Sequence, residues 1–293
     1  MRLLSLFTLI AIVLGIPGCG FPSKLRDPRR MQFGRVWVLP GIEGGTILSR
    51  NVALGLSEGG VRSAITNYDW TYGVPGALAF NLVSFERNLR QARELADDIL
   101  AYQRRFPDRP VQLVGHSGGA GIIVLALESL PDGAFVDQAI LLGVALSPDY
   151  NLAPALRRAK NGIINFYSQR DVALLKLGTT AAGTIDRTHG VSAGAVGFSA
   201  PPQLPPEERR LYSTKLRQIA WNERMREFGA PGTHIGWARQ GFSQRFLAPI
   251  VTRVEARYTD PRSPTLAPPP APDAPPLDDA PPEESRSDDA EGK

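Results

Sequence analysis

Val111-Gln112-Leu113-Val114-Gly115-His116-Ser117-Gly118-Gly119 decides how this chain folds. A short apolar run leads straight into glycines around a serine, and Gly119 to Ser129 then reads as a helix. A serine between strand and helix must sit on a very tight turn with strained backbone angles. The positions two residues to either side therefore need to be glycine to avoid collision. Such a turn lifts the hydroxyl above the sheet edge and beside a helix N-terminus, where free N–H groups and the helix dipole favour negative charge. A phosphate-binding loop would want lysine and further glycines here, and they are missing. A second match to the pattern, Gly190-Val191-Ser192-Ala193-Gly194, follows Thr188-His189 with no apolar strand before it. Ser117, not Ser192, is therefore the candidate nucleophile.

Outward from this stretch, short apolar runs alternate with longer helical patterns. Strands are predicted at Val36 to Leu39, near Ser63 to Tyr68, at Val111 to Val114, Ala139 to Ala145, Ile163 to Tyr167 and Lys215 to Trp221. Helices are predicted from about Phe85 to Phe106, Gly119 to Ser129, Leu152 to Ala159 and Gly236 to Val254. In the first of these Phe85, Leu89, Ala92, Ala96, Ile99 and Phe106 recur at helical spacing, Ser84 can cap the start and Pro107 ends it. Alternation of this kind builds βαβ units, so the expected fold is α/β, a three-layer α/β/α sandwich with a mostly parallel central sheet.

The two ends have a different character. Arg2 followed by the apolar run Leu3 to Ile16 reads as a secretory signal over residues 1–18, too short to span a bilayer as an ordinary helix. Cys19, the sole cysteine, comes directly after Ile16-Pro17-Gly18, and this arrangement resembles a bacterial lipoprotein signal. The resemblance implies a chain exported to the cell envelope, with Cys19 as its lipidated first residue and membrane anchor. Residues 19–34 are then expected as a tether and 35–258 as the folded domain. Residues 259–293, with Pro268-Pro269-Pro270, Pro275-Pro276 and Pro281-Pro282 among acids, are expected as a disordered tail. The tail beyond residue 259 holds nine acids and three bases, leaving 30 bases against 20 acids elsewhere, a net of +10. That sign suits anionic surfaces such as phospholipid headgroups, or simply a basic soluble surface. Nucleic acid is excluded as a partner because the arginines are scattered, with no stripe of interleaved aromatics. One cysteine also allows no intrachain disulfide.

With strand, Gly115–Gly119 turn and helix in this order, the chain resembles an α/β-hydrolase of the lipase and esterase kind over about residues 35–255. The family keeps the order nucleophile, acid, histidine, and this chain has only three histidines. His116 lies inside the turn and points elsewhere. His234, between the last strand and the last helix, is preferred to His189 as the general base. Asp171, just past the strand ending at Tyr167, is preferred as the acid to Asp149, which follows the preceding strand. The resemblance also implies an oxyanion hole from the N–H groups of Gly118 and Ile42, the latter in Pro40-Gly41-Ile42-Glu43-Gly44-Gly45. Asp69, Trp70 and Tyr72 follow the second strand on the same sheet edge and are candidates to line a substrate pocket. No metal or organic cofactor is implied. The substrate implied is a small-molecule or lipid ester, cleaved by a serine hydrolase (carboxylic ester hydrolase), and the oligomeric state stays open. A thioesterase or acyltransferase using the same residues, or an inactive binding lipoprotein on the same fold, are the alternatives.

Overall fold

The computed structural model describes residues 21–45, 47–73, 81, 84–171 and 184–259. The segment expected as a signal, Cys19 and the segment expected as a tail beyond residue 259 lie outside the described residues. Six strands, β1 (Arg35–Leu39), β2 (Ala64–Asn67), β3 (Val111–His116), β4 (Gln138–Leu142), β5 (Ile163–Tyr167) and β6 (Leu216–Ala220), form one sheet in the order β2-β1-β3-β4-β5-β6. Every pairing in it is parallel. Parallel strands need crossover connections, and those crossovers supply the two outer layers.

Successive side chains of a strand face opposite ways, so each strand feeds two cores. Trp37, Leu39, Leu113, Leu141 and Ile163 face one layer. It contains α2 (Phe85–Arg105), α3 (Gly118–Ser129) and α4 (Ala153–Arg157). Helix α2 buries Ala92, Leu95, Ala96, Ile99 and Tyr102, a stripe at helical spacing. Helix α3 is buried continuously from Gly118 to Leu127, because it lies between the sheet and its neighbours. Val36, Val38, Val114, Ile140, Leu142 and Phe166 face the other layer. There α1 (Ile47–Glu58) meets the C-terminal segment through Leu48, Val52, Leu56, Trp237, Phe242, Leu247 and Val251. Each such large side chain, fully buried, contributes roughly 1.5–3 kcal/mol. The expected three-layer α/β/α sandwich is the fold observed.

The last helix, α5 (Ala248–Thr259), is fastened to the sheet edge opposite the strand C-termini. Glu255 accepts from Arg62 N–H at 3.1 Å, Ser63 N–H at 2.8 Å and Ser63 Oγ–H at 2.5 Å, just before β2. Tyr258 donates to Asp137 at the start of β4, and Asp137 in turn accepts from Val111 N–H at the start of β3.

Several elements differ from expectation. Residues 21–34, expected as a tether, pack on the domain: Leu25 is fully buried, and Arg30 donates to the carbonyls of Val61 and Ser63. Strand β4 stops at Leu142, because Gly143 turns the chain at φ 55° although the apolar run continues. Ser84 makes no side-chain cap on α2. The closing helix is broken into a one-turn segment (His234–Ala238), a short helix (Gln240–Phe242), a π turn (Ser243–Leu247) and α5. Pro249 has no N–H to give the preceding turn, which disrupts a regular ladder there.

Candidate active site

In this strand order the chain leaves β1 towards β2 on one side, whereas β3 lies on the other. The loops beyond β1 and β3 therefore diverge, and open α/β sheets bind ligands in the crevice at such a point. Ser117 stands at that point. Its backbone is at φ 54° and ψ −120°, a left-handed conformation that a side-chain-bearing residue rarely holds. Such strain costs on the order of 1–3 kcal/mol and persists only where the surroundings enforce it. Ser117 N–H donates to Leu142 O at 2.9 Å, and Ser117 O accepts from Ala120 and Ala145 N–H. The flanking glycines permit the crossing. A Cβ on Gly115 would lie 2.7 Å from the Ala120 backbone, and one on Gly119 would lie 2.2 Å from Pro40 O. The hydroxyl does not cap α3, and among the described residues it has no hydrogen-bond partner, His234 included.

Asp171 ends a one-turn 3-10 segment after β5 and is buried. Its Oδ2 accepts from His234 Nδ1 at 2.8 Å. The structure thus brings these two residues together although 62 residues separate them in the sequence. His234 begins the turn after β6 and is buried against the His116 ring, with centroids 4.7 Å apart. Gly143 makes room for it, since a Cβ there would be 3.2 Å from His234 Nδ1. Asp149 is exposed, as is His189, and Ser192 is fully buried at the ordinary extended angles φ −89° and ψ 160°.

The loop after β1 is pinned on several sides. Gly41 N–H donates to Glu43 Oε1 at 3.1 Å, and Ile42 O accepts from Asn81 Nδ2 at 2.9 Å. Gly45 N–H donates to Asp69 Oδ2 at 2.7 Å. Among the described residues, neither Ile42 N–H nor Gly118 N–H is spent on an acceptor. A Cβ on Gly118 would come within 3.1 Å of the Ile42 side chain, so the two residues are neighbours. Asp69 also accepts from Thr71, and the buried Trp70 donates its Nε1–H to Pro40 O at 2.8 Å. Both hold the loop in place. Tyr72 is half exposed and stacks with Arg87, whose guanidinium lies 4.0 Å from the ring centre. Asn81, Gly143 and Glu43 went unnoticed in the sequence, which marks them by no motif.

Burial alone would lower the His234 pKa, but the Asp171 charge and hydrogen bond, with a smaller contribution from Glu43, outweigh it and raise it above the ordinary value. Titration of the His234 ring by NMR should therefore centre above about 6.5, the usual imidazole value, and a titration below it would contradict the arrangement.

A family described as a protein of unknown function (DUF726) matches residues 79–195, a span that contains Ser117 and Asp171. No curated protein sequence matches the chain. In structure the chain is similar to Aspergillus fumigatus lipase B, at 12% identity and a TM-score of 0.44, over 81% of this chain and 55% of that one. It thus spans about half of that lipase's length. It is also similar to the esterase domain from a Rhodothermus marinus protein, at 12% identity and a TM-score of 0.38, over 76% of this chain and 87% of that one. For a Pyrobaculum calidifontis esterase the values are 10% identity, a TM-score of 0.40 and 76% of each chain.

Proposed function

We propose that the chain is a serine hydrolase that cleaves carboxylic esters through an acyl-enzyme on Ser117. What carries this reading is the meeting, at one sheet edge, of a serine in a left-handed turn and a buried Asp171–His234 pair. Ser117 Oγ attacks the ester carbonyl carbon while its proton passes to His234 Nε2. The Ser117–His234 hydrogen bond, which this structure does not contain, forms in the loaded site, where such catalytic contacts commonly come into place. The charge that develops on the carbonyl oxygen is met by the N–H groups of Ile42 and Gly118 and by the N-terminus of α3. The ester C–O bond then breaks, His234 gives its proton to the leaving alkoxide, and the acyl group stays on Ser117. Water repeats the sequence, with His234 taking its proton, and the carboxylic acid is released. Asp171 keeps the imidazole in the Nδ1–H form and offsets its positive charge. Export and lipidation at Cys19 belong to the same proposal. An anchored enzyme of net basic body would work beside phospholipid, which favours lipid esters as substrates.

A fluorophosphonate probe tests the reading directly. It should label the wild-type chain on Ser117 and leave Ser117→Ala unlabelled. A folded wild type that resists the probe, as an inactive binding protein would, overturns the proposal.

A further inference from the structure

The loop after β1 carries a carboxylate that the chemistry above does not use. The Glu43 side chain is 7% exposed, and its Oε1 lies 3.7 Å from Nδ1 of His116, whose side chain is 5% exposed. Val38, Val52, Val114, Leu142 and Ala238, with the one hydroxyl of Ser49, line the space beside the two. A Cβ on Gly41 would fall 2.2 Å from Glu43 Oε2, so glycine at that position lets the carboxylate fold back over its own loop.

The other nitrogen of His116, Nε2, is 3.0 Å from the backbone carbonyl of His234. A carbonyl has no proton to give, so Nε2 must carry one and donate it. A bare Nδ1 would then set its lone pair against a carboxylate in an apolar setting, where such unpaired groups are costly. A proton on Nδ1 would turn the 3.7 Å approach into an ion pair and remove the conflict. Burial pushes the Glu43 carboxyl up, but the facing His116 outweighs it and holds the carboxyl below its ordinary value.

We propose that Glu43 and His116 form a buried positioning pair that locks the loop after β1, the Ser117 turn and the His234 loop into one unit and sets the charge around the general base. Its catalytic consequence rests on the serine-hydrolase reading, whereas the joining of the three loops stands on the contacts themselves. The groups that bear on His234 are Asp171 from the turn after β5, Glu43 from the loop after β1 and His116 from β3. The two members of the pair act in opposite senses: the Glu43 carboxylate favours the His234 imidazolium, and a His116 imidazolium opposes it.

The chain has three histidines, so ring titrations by NMR can be followed beside kcat/KM. Glu43→Gln should move the His234 titration, and with it the acid limb of kcat/KM, to lower pH. His116→Gln keeps a donor for the His234 carbonyl and leaves Glu43 unbalanced, so it should move both to higher pH. Each variant should lose about 10- to 100-fold in kcat with KM within about twofold, as expected when a base is slightly misplaced. The double variant carries a neutral pair, keeps the fold if a lone buried charge unfolds either single variant, and should return the titration close to wild type. Shifts in the same direction, or an unmoved His234 in the double variant and both singles alike, overturn the proposal. If the wild type neither hydrolyses esters nor takes the fluorophosphonate, the enzyme reading fails, and the NMR titrations alone then decide the pair.

Discussion

Ser117→Ala, His234→Ala and Asp171→Asn are each expected to slow hydrolysis of a small activated ester by roughly 10⁴-fold or more, and their effects should not add. The first removes the nucleophile and the second the base. The third leaves the imidazole in the wrong tautomer, because an amide nitrogen in place of Oδ2 would itself donate across the 2.8 Å contact with His234 Nδ1. Asp149→Asn and His189→Ala change exposed groups, and Ser192→Ala changes a hydroxyl on an ordinary extended backbone. These three should stay within about tenfold of wild type. The measurement is kcat on a form that lacks residues 1–19, so that the proposed anchor does not limit the rate. A strong loss in Asp149→Asn with a mild one in Asp171→Asn would move the acid to the β4 side. Full activity in Ser117→Ala would remove the basis of the assignment.

Gly119→Ala should be among the most damaging single methyl groups that can be added to this fold near the site. Its Cβ would meet Pro40 O at 2.2 Å, Leu39 O at 2.8 Å and the Leu39 side chain at 2.9 Å. Two of these are backbone atoms of β1 and its loop, and Pro40 O is fixed by the Trp70 indole, so they cannot rotate away. Over-packing against rigid neighbours costs roughly 3 kcal/mol. At this domain size that corresponds to a melting temperature lower by about 6–12 °C. Activity should fall with it, because the only escape is to push α3 and the Ser117 turn away from Ile42. Thermal unfolding and kcat measured together check this. A variant that melts within a degree or two of wild type at full kcat would show that the close approach of β1 and α3 does not constrain the site.

How far the chain could be read depended on whether its physics is local. Strands β1, β3 and β5 stood out because a sheet covered on both faces demands uninterrupted apolar runs, and turn residues bound them. The Ser117 turn was equally legible, since its glycines answer collisions within a few residues of each other. Helix α1 escaped notice although Leu48, Val52 and Leu56 recur every four residues. The glycine-rich loop before it drew the eye to backbone donors instead. Residues 21–34 looked like a tether because the short helical turns there carry little apolar surface. Their attachment comes from Leu25 and from Arg30 reaching carbonyls more than thirty residues away. Glu43 was silent for the same reason: its partner His116 meets it only once β1 and β3 lie side by side. Asp171 and Asp149 both follow a strand, and burial and bonding, which no pattern encodes, set them apart.

The fastening of α5 also bears on the order in which the protein can be made. Its bonds join residues as far apart as 193 positions, Glu255 to Arg62, and Tyr258 reaches back 121 positions to Asp137. Synthesis runs from the N-terminus, so none of these contacts can close until nearly the whole domain has left the ribosome. Until then β2, β3 and β4 lack the groups that hold their starting ends, and contacts of such long range form slowly in any case. For a chain proposed to cross a membrane before it folds, lateness is an advantage. The segment that completes the domain is the last part of it to be made, so under that proposal the polypeptide would stay threadable while its leading end is exported.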